Sequence, residues 1–191
     1  MNKTIIIKIA SEIMLKNGCE AVSIDNISNR TGISVDKLYQ TFPQGSEEIL
    51  MDCVEYTGRK WTETIKKLVM NETGELNKIN KLSSMYVLGT KEHSSSLSVY
   101  VDLWKTVKDN KNGYIKERLR NIYNYYSDEY SETVKSLNYI NIPDNELKAL
   151  SLIMTLLSDV IHIQSIILEN NVDYNSIQYV IEKMVSKYLL S

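Results

Sequence analysis

The chain has 191 residues, with 22 Lys and Arg against 24 Asp and Glu, a formal net charge of −2, two Pro and seven Gly. This length allows one large or two small domains with a substantial core, and the scarcity of Pro and Gly favours helices. A near-neutral balance excludes a global positive field, so any contact with nucleic acid has to be local. Apolar residues recur at spacings of three and four almost throughout, and no sustained alternating run lies between hairpin turns. The expected fold class is therefore all-α, with about nine helices. A first amphipathic helix is predicted over residues 4–17, with Ile6, Ile9, Ala10, Ile13 and Met14 inward and Gly18 closing it. Ser23 caps a short second helix on which Ile24 and Ile27 share a face, and Gly32 supplies the left-handed backbone that ends it. Ser34 caps a third helix, where Leu38 and Phe42 lie four apart and turn inward. Val35, Asp36, Lys37, Tyr39, Gln40 and Thr41 are left for its outer face. Two short helices hinged at a glycine match helix-turn-helix geometry, whose second helix fits the major groove of DNA.

After a turn at Pro43–Ser46, a fourth helix begins on Ser46, Glu47 and Glu48 and runs to about Val69. A fifth covers about 75–91, and a sixth starts at His93–Ser96 with Leu97, Tyr100, Val101 and Trp104. The seventh, from about 114 to 138, carries Ile115, Leu119, Ile122, Tyr126, Tyr130 and Leu137 on one flank. An eighth helix over about 144–170 and a ninth over about 174–190 complete the chain. Helix eight is apolar on nearly every side and needs burial all round, for which a second copy of the chain is the natural cover. Its stripe of Ser151, Thr155, Ser158, His162 and Ser165 permits close helix approach. With Ile177, Ile181, Met184, Tyr188 and Leu189 from helix nine, it predicts a four-helix homodimer interface; the alternative is that the stripe lines a pocket.

A ligand pocket is expected among helices four to eight, where Trp61, Met85, Tyr86, Tyr100, Trp104, Tyr123, Tyr126 and Met154 offer a polarizable surface to an apolar or cationic molecule. Asp159 and His162 stand three apart in an apolar setting, yet the chain's other histidine, His93, falls in a loop region. A polar contact at the dimer face is the expected role of the pair, and an enzyme is not expected. Cys19 and Cys53 fit no metal-ligand spacing and suit a reducing compartment as buried or half-buried thiols; no metal and no cofactor are expected. Lys8 and Glu12 interrupt the first apolar run before it reaches signal-peptide length. Ser151, Ser158, Asp159, His162 and Gln164 argue against a membrane span over 147–168, so the expected location is the cytoplasm.

Three segments carry a family resemblance. Ile6–Gly18 resembles the first helix of the TetR-like one-component transcriptional regulators, and Ile33-Ser34 with Leu38-Tyr39 and Phe42 resembles their recognition-helix signature. Leu157–Gln164 is similar to their penultimate helix. The resemblance implies a homodimer with a DNA-binding domain over residues 1–45 and a ligand-binding and dimerisation domain over 46–191. It also implies a repressor released from a palindromic operator when a small-molecule effector binds, with double-stranded DNA as partner and no membrane.

Within such a domain Lys37 is the one cation on the recognition helix, and the family counterpart of Tyr39 touches phosphate. Ser34, Gln40 and Thr41 add hydrogen-bonding groups, which completes the expected DNA-contact set. The sequence departs from the family pattern at Asp25, where a basic residue is frequent, at Thr41, where a histidine is frequent, and at Gly45-Ser46, where a lysine is frequent and the turn is one residue longer. Residues 1–45 carry Lys3, Lys8, Lys16, Arg30 and Lys37 against Glu12, Glu20, Asp25 and Asp36, a net charge of only +1. A second reading follows: an interaction protein on the same scaffold with weakened or lost DNA binding.

Overall fold

The computed structural model describes residues 2–92, 99, 101–105, 107, 113–137, 140–168 and 172–190; the side chains of 86–88, 90–92, 162 and 165–167 lie outside that description. In order, the helices are α1 (Lys3–Asn17), α2 (Ile24–Thr31), α3 (Val35–Thr41), α4 (Ser46–Met70), α5 (Glu75–Glu92), α6 (described over 101–105), α7 (Tyr114–Lys135), α8 (Asp144–Ile167) and α9 (Tyr174–Leu189). A 3-10 turn, Cys19–Ala21, follows α1, and no strand occurs among the described residues. The all-α expectation holds.

Helix ends follow local chemistry. The first helix begins one residue earlier than expected because Asn2 Oδ1 accepts the Thr4 amide at 3.1 Å. Asp173 caps α9, accepting the Ser176 amide at 3.1 Å and the Ser176 hydroxyl at 2.6 Å, and these bonds hold its carboxyl below the usual aspartate range. α7 stops at Lys135, short of the predicted 138, where the Ser136 hydroxyl donates to the Thr133 carbonyl at 2.6 Å. The expected start of the sixth helix at 93–96, with Leu97 and Tyr100, lies outside the described residues.

By compactness the chain divides into two units, one of residues 1–60 with 95–122, the other of 61–94 with 123–191. The first joins the helix-turn-helix to the start of α4, to α6 and to the start of α7. Ile6, Ala10 and Met14 of α1 are buried there with Ile27, Leu38, Phe42, Ile49, Met51, Val54, Leu103, Ile115 and Leu119. Ile9 and Ile13, expected inward, are half-buried. Each fully buried large side chain contributes roughly 1.5–3 kcal/mol relative to exposure.

In the second unit α5 packs against both α8 and α9. Ile79, Leu82 and Met85 of α5 share a core with Ile65, Val69, Tyr130, Val134, Leu147, Met154, Ile161, Ile181, Val185 and Leu189. At Gly89 even a methyl group would stand 2.4 Å from the Trp61 ring. Glycine there lets α5 lie against the indole.

Candidate nucleic-acid interface and effector region

The N-terminal helix pair is built from short polar bonds around a buried seam. Ser23 Oγ accepts the Asn26 amide at 3.2 Å, and Ile24 and Ile27 on the next turn are buried. Gly32 closes α2 in the left-handed region at φ 70°, sending its amide to the Ser28 carbonyl at 2.8 Å. Two side chains brace this turn: Ser28 donates to the Ile33 carbonyl at 2.6 Å and Thr31 to the Ile27 carbonyl at 2.7 Å. Apolar periodicity carries no signal for either. From α3, Leu38 and Phe42 are fully buried, which fixes its opposite side outward.

Four of the five expected DNA contacts lie on that outer side. Ser34, Lys37, Tyr39 and Gln40 are exposed, Tyr39 by 51%. Ser34 makes no capping bond with its side chain, so its hydroxyl remains available, and Lys37 has no ion pair among the described residues. Thr41 differs. It is half-buried and its hydroxyl donates to the Lys37 carbonyl at 2.9 Å, which commits the hydrogen that a phosphate would accept.

The lengthened turn at Gly45-Ser46 has two structural uses that the sequence reading missed. Gly45 takes φ 64°, and a Cβ on it would stand 3.1 Å from Tyr39 Cε1, so the bare glycine seats the tyrosine ring. Ser46 Oγ accepts the Ile24 amide at 3.0 Å, tying the start of α4 to the start of α2. Gln44 donates its amide to Glu48 Oε2 at 3.1 Å, which completes the turn.

Behind this face an ionic node joins α1, α4 and α7. Lys3 Nζ lies 3.2 Å from Glu48 Oε1 and 3.0 Å from Asp52 Oδ2. Arg118 reaches Asp52 Oδ1 at 2.8 Å and Glu55 Oε2 at 3.0 Å, and donates to the Tyr114 hydroxyl at 2.9 Å. Burial opposes the Lys3 charge, but hydrogen bonds to Asp52 and Glu48 outweigh it and raise the pKa above the ordinary lysine value. The same balance, led on the favourable side by Asp52, raises that of Arg118. Lys3 is thereby committed within the protein, leaving fewer cations for a polyanion.

The cysteines are inert by the same logic. Burial pushes both thiols up to about 12, and Cys53 Sγ donates to the Ile7 carbonyl at 3.6 Å while Cys19 Sγ donates to the Val99 carbonyl at 3.6 Å.

Of the expected ligand residues, Met85 and Met154 are buried in the second unit's core and Trp61 packs against it. The rings of Tyr123 and Tyr126 stand 6.4 Å apart at 85°. Trp104 is half-buried in the first unit. Tyr100 and the Tyr86 side chain lie outside the described residues. Asp159 is half-buried on α8, accepts from Tyr123, and has its carboxyl pushed up to about 6 by burial. The side chain of His162, expected to join it in a polar contact at the dimer face, lies outside the description. No group of three His, Cys, Asp or Glu side chains suited to a metal ion occurs among the described residues.

Two residues of the expected dimer stripe point into the chain. Ser151 and Thr155 are buried inside the chain, because Ser151 meets the Ser127 hydroxyl of α7 at 2.6 Å and Thr155 donates to the Ser151 carbonyl at 2.9 Å. Ser158 is half-buried, and Ile181 and Leu189 belong to the core. The side chains of His162 and Ser165 lie outside the description. Met184, 66% exposed, and Tyr188, whose hydroxyl donates to Glu146 at 2.5 Å, do face outward. Apolar side chains hold the outer face instead: Leu152, Ile153, Leu156 and Val160 on α8, with Tyr179 and Val180 on α9. On a helix apolar all round, Ser151 took an internal position where Ser127 of α7 offers a hydrogen-bonding partner. No helix among the described residues is long and apolar enough to cross a membrane.

No protein-family model matches the sequence, and no curated protein matches it. Solved structures are similar in fold. A Rhodococcus sp. protein described as a TetR-family transcriptional regulator superposes with a TM-score of 0.72 at 10% identity, over 97% of this chain and 96% of that one. The transcriptional regulator FadR from Bacillus subtilis, in complex with stearoyl-CoA, gives 0.60 at 14% identity over 97% and 98%. A Saccharomonospora viridis protein described as a transcriptional regulator, in complex with choline, gives 0.66 at 14% identity over 94% and 93%. The fold of this chain is that of the TetR-type regulators.

Proposed function

We propose that this chain is a TetR-type transcriptional regulator, a homodimeric repressor that leaves a palindromic operator when a small molecule binds its larger domain. The observation that carries this reading is α3, which buries Leu38 and Phe42 while leaving Ser34, Lys37, Tyr39 and Gln40 outward on a helix-turn-helix. In the proposed division of roles residues 1–45 contact DNA and 46–191 bind effector and partner. Lys37 contacts a base edge or phosphate, Tyr39 and Ser34 contact phosphate, and Gln40 contacts a base. Thr41 can serve only as an acceptor while its hydroxyl donates to Lys37. A DNA-bound role puts the protein in the cytoplasm, and no enzymatic activity is part of it.

The homodimer is proposed to form through the outward apolar face of α8 and α9, in place of the serine stripe. An exposed row of Leu152, Leu156 and Val160 beside Val180 and Met184 is costly in water and suits a symmetric interface. Effector binding then changes the spacing of the two reading heads, and the ligand must favour the DNA-free form by the same free energy by which it weakens DNA binding. The fold neighbours solved with stearoyl-CoA and with choline support the reading that a small molecule binds.

Selection of bound fragments from genomic DNA at two salt concentrations tests the reading. The expected result is an enriched palindrome whose affinity falls with salt in proportion to the phosphates contacted. The absence of enrichment at low salt would sink it in favour of the second reading, an interaction protein without DNA binding. That alternative draws its support from Thr41, Asp25 and the commitment of Lys3 to Glu48 and Asp52.

A further inference from the structure

Glu48, Asp52 and Glu55 follow one another on α4 at steps of four and three, so they share one face of that helix. Asp52 is the least exposed of the three side chains, at 11%. Like charges at such spacing repel, the more so where water is partly excluded. The row is neutralised from two other helices of the same unit. Lys3 of α1 bridges Glu48 and Asp52 at 3.2 and 3.0 Å, and Arg118 of α7 bridges Asp52 and Glu55 at 2.8 and 3.0 Å. Glu55 has a further partner in Arg59 at 2.8 Å, whereas Asp52 is paired with Lys3 and Arg118 among the described residues.

Lys3 carries this ionic row to the end of α3. Its Nζ stands 4.9 Å from the centre of the Phe42 ring, and Phe42 is the residue that ends the helix. Its other carboxylate, Glu48, accepts the Gln44 amide of the following turn at 3.1 Å. The Gly45 amide closes that turn on the Phe42 carbonyl at 2.8 Å, and Gly45 is where the Tyr39 ring rests. Arg118, Asp52 and Lys3 therefore connect α7 to the end of α3 that seats Tyr39.

We propose that Arg118 is a positioning residue for DNA binding: through Asp52 it orients Lys3, and through Lys3 it holds the end of α3 and the turn under Tyr39 in the geometry that meets the duplex. The proposal rests on the regulator reading and names a residue outside 1–45 on which the reading head depends. With Arg118 removed, the charge of Asp52 is left to Lys3 alone. The carboxylate then draws the ammonium off the Phe42 ring and away from Glu48, and the turn after α3 loses its brace.

Amide hydrogen exchange of the full chain tests the positioning without DNA. Arg118→Met should speed exchange of the Phe42 and Gln44 amides by about tenfold and leave the Gly32 amide, which closes α2 at the same 2.8 Å as Phe42 closes α3, within about twofold. Lys3→Met should give the same pattern, and its half-exposed place at a helix start keeps the test open if Arg118→Met fails to fold. The second measurement is a gel-shift titration at fixed salt on the operator fragment recovered by the genomic selection. Arg118→Met should weaken binding about tenfold, Arg118→Lys, which keeps a charge for Asp52, about threefold or less, and Lys3→Met added to Arg118→Met should cost little more. Equal acceleration at Gly32, operator affinity unchanged by Arg118→Met, or an Arg118→Lys protein as weak as Arg118→Met would overturn the proposal and make Arg118 a general brace. If the selection recovers no operator, the regulator reading fails, and the exchange pattern alone decides whether Arg118 holds the end of α3.

Discussion

Arg118 on α7 donates to Asp52 on α4 at 2.8 Å, and the other oxygen of the same carboxylate faces Lys3 of α1 at 3.0 Å. One acidic side chain thus fastens two cations from segments more than a hundred residues apart. Arg118→Met should lower stability by about 1–3 kcal/mol, since it leaves a half-buried carboxylate short of a partner. Because Lys3 shares that carboxylate, Lys3→Met and Arg118→Met should be non-additive by at least about 0.5 kcal/mol in urea denaturation. Additive losses would mean that the two cations act independently.

Gly45→Ala should cost roughly 1–2 kcal/mol, because an alanine resists φ 64°. It should also displace the Tyr39 ring, whose Cε1 stands 3.1 Å from the new methyl position. If Tyr39 contacts phosphate, DNA affinity at fixed salt falls together with stability. An unchanged gel-shift titration would remove Tyr39 from the contact set. Lys37→Ala, by contrast, should leave stability within about 0.5 kcal/mol and lower operator affinity by about 1–3 kcal/mol.

Asp159 makes stability depend on pH in a stated direction. Its folded value, about 6, lies above the ordinary 3.8, so between those values the folded chain holds a proton that the unfolded chain has released. The stability due to that proton is fully present below about 3.8 and is lost as pH rises through 6. Asp159→Asn should therefore stabilise the unliganded protein at pH 7.5 by about 1–2 kcal/mol, an amount reduced by partial exposure. It should also flatten the melting temperature across pH 4.5–6.5. A variant that melts lower at pH 7.5 would contradict the account.

Cys19 and Cys53, with thiols pushed up to about 12, should resist a thiol reagent at pH 8 in the folded protein and react on unfolding in urea. Rapid native labelling of either would show that its segment opens.

Leu156→Glu together with Met184→Glu should convert a dimer to a monomer in sedimentation experiments, because both side chains are outward and more than half exposed. Ser151→Ala should instead lower stability without changing the oligomeric state, since its hydroxyl partner is Ser127 of the same chain. The reverse pattern would restore the serine stripe to the interface.

The helices were legible because their inward residues recur at three and four: Ile24 and Ile27, Leu38 and Phe42, Ile115 and Leu119 are all buried. The orientation of α8 was not. A helix apolar on all sides has no periodicity to reveal its inner face, and the deciding partner, Ser127, is 24 positions away. The outer residues of α3 could be read from Leu38 and Phe42, whereas the inward hydroxyl of Thr41 depends on backbone geometry. The bond of Asp159 to Tyr123 joins two helices and leaves no local signal in the sequence. Gly45-Ser46 read as the place of an absent lysine in a turn one residue longer, although both residues have work elsewhere, one under Tyr39 and one at the start of α2.

That last bond bears on how the protein can be dissected. A fragment ending at Gly45 would lose the hydroxyl that takes the Ile24 amide, leaving the first turn of α2 to water and to Ser23 alone. The boundary between the proposed reading and sensing roles is therefore no seam for cutting. An excised helix-turn-helix should carry Ser46 and enough of α4 to hold that hydroxyl in place, or it will fray at the end nearest the recognition helix's support.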